Sequence, residues 1–352
     1  MSGLPTAPER RGYGISGVHR PGIPGPYSIT RPFHRYRNNT GGSGGPGFFK
    51  EGIALPVTLW RFVDGKAGHD AQSRGLVTAL QEQLAVDVFD IPVEKAGSGF
   101  RSWLTARYDP GRELPAPDLL LGAGHATHWH LLAARRHRGG RAVVLMKPTL
   151  PLACFDLCLV PEHDGRFTAA NVLTTRGVLN AITPGGAHDA GTGLVLLGGP
   201  SRHYRWDDEG ILSQLGRLLQ QRPVKRWMLG TSPRTPASLL QALDDRYGME
   251  ITPWESAPQD WLADSLATAG EAWVSEDSVS MVYEALTAGA RVGLLQVPRR
   301  RANRVTDGID ALVQDQWVAA PGSLQPLAGP QQPLNEAQRC ADWIRVHWLT
   351  NH

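Results

Sequence analysis

Asp64-Gly65-Lys66-Ala67-Gly68-His69 sets a carboxylate, a cation, an imidazole and two glycines within six residues. An imidazole titrates near neutrality and can take the proton of an attacking hydroxyl, and a nearby carboxylate can orient it. His69 is therefore the candidate general base and Asp64 its orienting partner, with Gly65 and Gly68 allowing the loop close approach to a substrate. A second set lies in Glu276-Asp277-Ser278-Val279-Ser280, with Glu284 further on. The amides of Ser278, Val279 and Ser280 would open a helix and face a diphosphate at its positive end, while the acceptor-only carboxylates of Glu276 and Glu284 suit sugar hydroxyls. Gly198-Gly199-Pro200-Ser201-Arg202 and Ser232-Pro233-Arg234 offer two more loops in which small residues let amides reach a phosphate and an arginine supplies a planar cation.

These residues need elements that bring them to one edge. Pro56 to Trp60 reads as a strand, and Leu76, Leu80 and Leu84 form the stripe of one helix face, so the Asp64–His69 block is a strand-to-helix loop. Strands are predicted near 57–62, 86–91, 118–122, 142–146 and 157–160. A second series follows near 194–197, 225–229, 249–252, 272–275 and 292–297, with helices near 207–221 and from Pro236 to Gly248. Alternating strands and helices predict parallel sheets. The fold expected is α/β: two tandem Rossmann-like, doubly wound domains facing a cleft. Domain boundaries are expected at 56–184 for the first domain and 194–334 for the second. Residues 185–193 would be a linker, and a helix over 335–352 would pack back on the first domain.

The 352 residues are 41% hydrophobic and 20% charged, the composition of a globular protein. Residues 1–51 hold seven basic residues against two acidic ones, whereas the remainder holds 29 against 31. With its Gly and Pro content, 1–55 reads as a disordered leader, or as a tether to acidic lipid or nucleic acid. The apolar runs are too short for a membrane span, which places the body in the cytoplasm, free or peripheral at the inner membrane. Cys154, Cys158 and Cys340 lack the spacing of a zinc or redox pair and read as buried thiols. Gly122-Ala123-Gly124-His125-Ala126-Thr127 lacks the third glycine of a dinucleotide fingerprint. His125, His128 and His130 lack a carboxylate or thiol to complete a metal set. No cofactor and no metal are expected. Arg299, Arg300, Arg301 and Arg304 lie beyond the last strand, facing phosphate, lipid or solvent.

Asp64 to His69 with Gln72-Ser73, Val143 to Pro151, Phe155-Asp156, Val160 to Asp164 and Asn171 to Gly177 closely resemble the family of the plant mitochondrial-fission factor and its bacterial relatives. Leu196 to Arg205, Thr231 to Pro236 and Glu276 to Ala285 continue the match, which spans about residues 57–320. The chain departs from it at Ala67, where the family usually has proline, and at Asp70-Ala71, where it has Glu-Asn. That family is similar to GT-B glycosyltransferases, among them enzymes acting on lipid-linked envelope precursors. The resemblance implies a nucleotide-sugar site on the second domain and an acceptor site on the first. Gly198, Gly199 and Ser201 would hold the diphosphate, Glu284 the ribose and Glu276 the donor sugar, with His69 at the cleft floor. The expected function is transfer of a sugar from a nucleotide diphosphate, UDP favoured, to a hydroxyl acceptor such as a lipid-linked precursor at the membrane surface. The alternatives are a non-catalytic scaffold with a protein partner, or a sugar-nucleotide epimerase. Nucleic acid is not an expected partner.

Overall fold

A computed structural model describes residues 55–93, 96–165, 167–222, 224–243, 247–325 and 334–349. The leader expected over 1–55 lies outside them save for Leu55.

The first domain runs β1 (Val57–Val63), α1 (Ala67–Gln81), β2 (Val86–Pro92), α2 (Ala96–Thr105), β3 (Leu119–Ala123), α3 (His128–Arg138), β4 (Arg141–Leu145), β5 (Leu157–Pro161) and β6 (Val172–Thr175). Its six strands are all parallel in the order β2-β1-β3-β4-β5-β6. Leu119, Leu120 and Leu121 of β3 are all buried, because helices cover both faces of the sheet and no alternation is needed.

The second domain runs β7 (Asp189–Leu196), α4 (Asp208–Gln221), β8 (Arg226–Gly230), α5 (Ala237–Leu243), β9 (Glu250–Thr252), α6 (Trp261–Thr268), β10 (Ala269–Ser275), α7 (Val279–Ala288), β11 (Arg291–Leu295) and α8 (Arg304–Gln314). Its sheet is also parallel, ordered β11-β10-β7-β8-β9. The chain is thus an α/β protein of two doubly wound parallel sheets. Each has a point where the strand order reverses, between β1 and β3 in the first and between β7 and β10 in the second. Ligands of such sheets bind at the carboxyl ends of the strands flanking that point. The four loops so selected begin at Asp64, Gly124, Leu197 and Glu276.

Two expectations are corrected. Residues 189–193, expected in the linker, belong to β7. The Asp189 carboxylate accepts from the Gly191 amide at 2.9 Å and the Thr192 hydroxyl at 2.7 Å, and Gly193 lies between Glu271 and Trp227 on the flanking strands. Glycine there leaves room for the Trp227 ring, which a Cβ would meet at 2.5 Å. The last helix, α9 (Glu336–Ile344), continues as a π-turn through Arg345–Leu349 rather than as regular α-helix. Its Ala337, Cys340, Ala341 and Ile344 join Leu76, Val77 and Leu80 of α1 in one buried cluster.

Candidate functional site

Asp64 and His69 stand on either side of the turn that joins β1 to α1. His69 Nδ1 lies 2.9 Å from Asp64 Oδ2, and the Asp64 side chain is only 3% exposed against 21% for the imidazole. The second Asp64 oxygen accepts from the Lys66 amide at 3.3 Å, and Lys66 Nζ approaches the carboxylate at 3.5 Å. Burial raises the Asp64 carboxyl, but its hydrogen bond to His69, the His69 charge and the Lys66 amide and ammonium outweigh it, so the net shift is downward. An ionised Asp64 fixes the ring with Nε2 left for substrate; no described residue is bonded to that nitrogen. Gly65 turns the chain at φ +76°, and a Cβ on either Gly65 or Gly68 would meet nothing within 4 Å. The space over this loop is open.

Two features absent from the sequence reading hold this pair in place. Gly124, at the end of β3, takes φ +81° and lies flat against the imidazole; a Cβ there would sit 2.2 Å from His69 Cε1. Of the glycines in the 122–127 segment, Gly124 therefore seats a histidine, while Gly122 makes room for Thr127 and Leu131. Arg61, in the middle of β1 and 6% exposed, donates to Asp90 at 2.7 Å and to Asp70 at 2.6 Å, clamping the first turn of α1 to the sheet. Asp70 is the residue that stands where the family pattern has Glu. A lone arginine inside a strand gave no pattern in the sequence, since its partners lie nine and 29 residues away.

His128 and His130 are held by Thr149, Tyr108 and Ser98. Burial first, then the charge of His125, lowers the His128 pKa to about 4.

The second domain corrects several expected roles. Gly198 and Gly199 do not present their amides outward: Gly198 donates to Ser275 Oγ at 2.8 Å and Gly199 to Asp277 Oδ2 at 2.9 Å. Side chains cannot replace these glycines, because a Cβ would collide with Asp277 Oδ2 at 2.2 Å and with the Arg234 carbonyl at 1.9 Å respectively. Arg234 donates to Asp277 at 2.7 Å and to the Gly199 carbonyl at 2.8 Å, while Ser232 donates to the Gly198 carbonyl at 3.0 Å. Arg234 and Ser232 thus brace the loop. Ser201 accepts from the His203 and Tyr204 amides and closes its own turn. Glu276, expected at the donor sugar, is 2% exposed and accepts from the Val297 amide at 3.0 Å and from Arg299 at 2.8 Å. It ties β10 to the segment after β11, because an unpaired buried carboxylate would be far costlier than this ion pair.

Other groups remain available at the same edge. The Ser278 amide is taken by the Ser275 carbonyl at 3.0 Å, but Val279 and Ser280 are the first two residues of α7, whose amides have no carbonyl within the helix. Arg202, Arg300 and Arg301 are exposed, with Arg202 Nε 2.9 Å from His203 Nε2 and Arg300 Nε 3.3 Å from the Ser201 carbonyl. The His203 pKa is lowered, by burial first and then by the charges of Arg202, Arg304 and Arg301. Positive charge therefore gathers over the loop after β7. Glu284 is half-buried on α7, and no described residue donates to its carboxylate. Burial pushes its pKa up to about 7.

Between the domains lies a cleft of about 740 Å³. Glu162, His163, Thr174 and Arg176 line it from the first domain, and Tyr283, Arg304, Asp307 and Asp315 from the second. Arg304 pairs with Asp164 at 2.8 Å and Arg176 with Asp315 at 3.1 Å, so ion pairs join the domains across it. None of the site residues expected from the sequence lines it. Its walls come from the turn after β5 and from α8, a helix that the run of arginines before it concealed.

Two parallel Rossmann-like sheets in one chain, with a cleft between them, make this a protein of GT-B architecture. The sequence profile of the mitochondrial fission ELM1 family matches residues 67–348, and the chain belongs to that family. Among solved structures, a putative UDP-N-acetylglucosamine 2-epimerase from Listeria monocytogenes is similar at 13% identity and TM-score 0.53, over 85% of this chain and 98% of that one. A second UDP-N-acetylglucosamine 2-epimerase matches at 13% identity and TM-score 0.50, over 84% and 97%. MurG of Acinetobacter baumannii aligns at 15% identity and TM-score 0.43, over 84% and 96%. No curated protein matches. No helix among the described residues is long and apolar enough to cross a membrane.

Proposed function

We propose that this chain binds a UDP-sugar along the carboxyl edge of its second sheet and transfers the sugar to a hydroxyl brought to His69. The observation that carries the donor site is Glu284, a half-buried carboxyl near pKa 7 without a donor among the described residues, on the helix that starts at the reversal point of the sheet. Such a group gains most from a ligand that supplies hydroxyls, as a ribose does. The diphosphate would be neutralised by Arg202, Arg300 and Arg301 and the first amides of α7, without metal or other cofactor. In the transfer step the acceptor hydroxyl gives its proton to His69 Nε2 and its oxygen attacks the anomeric carbon. The bond from that carbon to the diphosphate breaks, and UDP leaves with the electron pair. Asp64 stabilises the imidazolium that forms. Attack of this kind inverts the anomeric centre. The retaining alternative needed Glu276 at the sugar, and Glu276 is committed to Arg299. The acceptor proposed is a lipid-linked or envelope precursor at the membrane surface of the cytoplasm.

One observation favours the scaffold reading: the amides of Gly198 and Gly199, which a diphosphate would use, are already taken. Thermal-shift titration with UDP, UDP-N-acetylglucosamine and other nucleotide diphosphates decides between them. A ligand at 100 times its Kd adds about 2.7 kcal/mol, and a chain that no member of the panel stabilises has no donor site. If UDP binds, His69→Ala is expected to keep that binding and lose UDP release from UDP-N-acetylglucosamine. Unchanged release would remove His69 as base, and appearance of the 2-epimer without acceptor would replace transfer by epimerisation.

A further inference from the structure

We infer that the outer face of α2 with the start of α3 docks the protein on an anionic lipid surface. Among the described residues, Phe100 and Leu104 are two of only five large apolar side chains left exposed, at 43% and 63%, and they lie one helical turn apart. They do not stand alone. The Phe100 ring packs edge-on to Trp129 of α3 at 4.8 Å and stacks on Trp103 at 6.1 Å, and Trp103 lies 5.3 Å from Trp129. Trp103 and Trp129 are themselves only half-buried. The four form one apolar surface, held rigid from beneath because Gly99 lets α2 sit directly on α3: a Cβ there would meet the His130 amide at 2.8 Å.

The two helices carry charge of one sign. Neither α2 nor α3 contains an acidic residue, whereas they and the residues just after α2 hold Arg101, Arg107, Arg135, Arg136 and Arg138. Arg136 lies over the Trp103 ring at 5.4 Å and donates to the Trp103 carbonyl. Arg101 and Arg107 are exposed, and neither has an acidic partner among the described residues. Arg135 is paired with Asp156 and Arg138 is bonded to the Gly111, Arg112 and Leu114 carbonyls, so the cations free for this surface are Arg101 and Arg107, with Arg136 on the Trp103 ring. Such cations beside Phe, Leu and Trp match a headgroup layer, where indole and phenyl rings sit at the interface and guanidinium groups meet phosphate.

The placement follows from topology. Both helices begin at the carboxyl edge of the first sheet, and Trp129 lies five residues beyond Gly124, whose backbone carries the His69 ring. A bilayer reaching Trp129 would therefore lie near the carboxyl edge that carries His69. This gives the proposed lipid-linked acceptor its route, but vesicle binding and nucleotide binding are read separately and either can fail alone.

The test is co-sedimentation of the full chain with phosphatidylcholine vesicles, with and without about a third phosphatidylglycerol, at low salt. Binding is expected to the anionic vesicles only. Phe100→Ser with Leu104→Ser should abolish it, and Arg101→Ala with Arg107→Ala should weaken it about 25-fold, at about fivefold per arginine. Leu104, Arg101 and Arg107 are exposed and only the Phe100 ring loses packing, so the UDP-free melting temperature should fall by no more than a few degrees, which reports that the variants fold. Binding that survives Phe100→Ser with Leu104→Ser would place the attraction in the basic leader and overturn the inference. So would absence of binding to anionic vesicles, or a dimer in solution that this pair of substitutions splits.

Discussion

Replacing Glu284 with Gln should stabilise the protein and weaken its grip on nucleotide at once. The carboxyl has an ordinary pKa of 4.5 and is pushed up to about 7 by burial. A raised acid favours the fold in its neutral form, so this contribution is full below pH 4.5 and is lost as pH rises through 7. From pH 5.5 to 8 the linkage amounts to about 2 kcal/mol, reduced somewhat because Glu284 keeps contact with solvent. Gln does not titrate. The difference in melting temperature between Glu284→Gln and the parent should therefore widen by a few degrees in favour of the variant between pH 5.5 and 8. Ribose hydroxyls donating to the carboxylate favour its ionised form, so UDP binding at pH 7 should release up to about half a proton. Calorimetry in two buffers of different ionisation enthalpy measures that release, and Glu284→Gln should remove it. Parallel stability profiles for the two proteins would refute the raised pKa. Binding without proton release, unchanged by the substitution, would refute contact between Glu284 and the nucleotide.

Asp64→Asn is expected to lower turnover about a hundredfold or more by losing the ionised partner of the imidazole, with UDP binding unchanged. Because the Asp64 pKa is depressed, its contribution to stability should be present above pH 4 and lost as pH falls below that, so acid unfolding of the parent and Asp64→Asn should converge at low pH. Gly124→Ala should cost about 1–3 kcal/mol and displace the imidazole, since the φ of +81° and the Cβ collision act together; the histidine ring resonances in NMR report the displacement. Arg299→Ala should cost about 3–5 kcal/mol by leaving Glu276 buried without its cation, a loss that denaturant titration measures. If Glu276 instead approached a sugar, that substitution would change activity far more than stability.

The strands were legible because both sheets are parallel and covered on both faces. Runs such as Leu119–Leu121 and Leu194–Leu197 carry their burial in their composition. Elements whose partners are remote were not. Residues 189–193 read as linker because glycines say nothing of Trp227, 34 residues away from Gly193. The His69–Asp64 pair was legible, being five residues apart across one turn. Glu276 and the Gly198-Gly199 loop were misassigned for a single reason: Asp277, Ser275, Arg234 and Arg299 satisfy them through contacts of 23 to 78 residues in separation, which no local spacing encodes. The arginines around His203 were visible as a run, but not as a cluster.

The seating of α9 on α1 has a bearing on how this protein is made. The first domain is discontinuous: its sheet is complete by Thr175, yet one wall of its core is supplied by Ala337 to Leu349. The second domain lies entirely between. A ribosome delivers the chain from its amino end, so the second domain can fold while the apolar stripe of Leu76, Val77 and Leu80 still waits for its cover. The first domain to be synthesised is thus the last to be finished, and a chaperone that holds that stripe until release would be its natural client relationship.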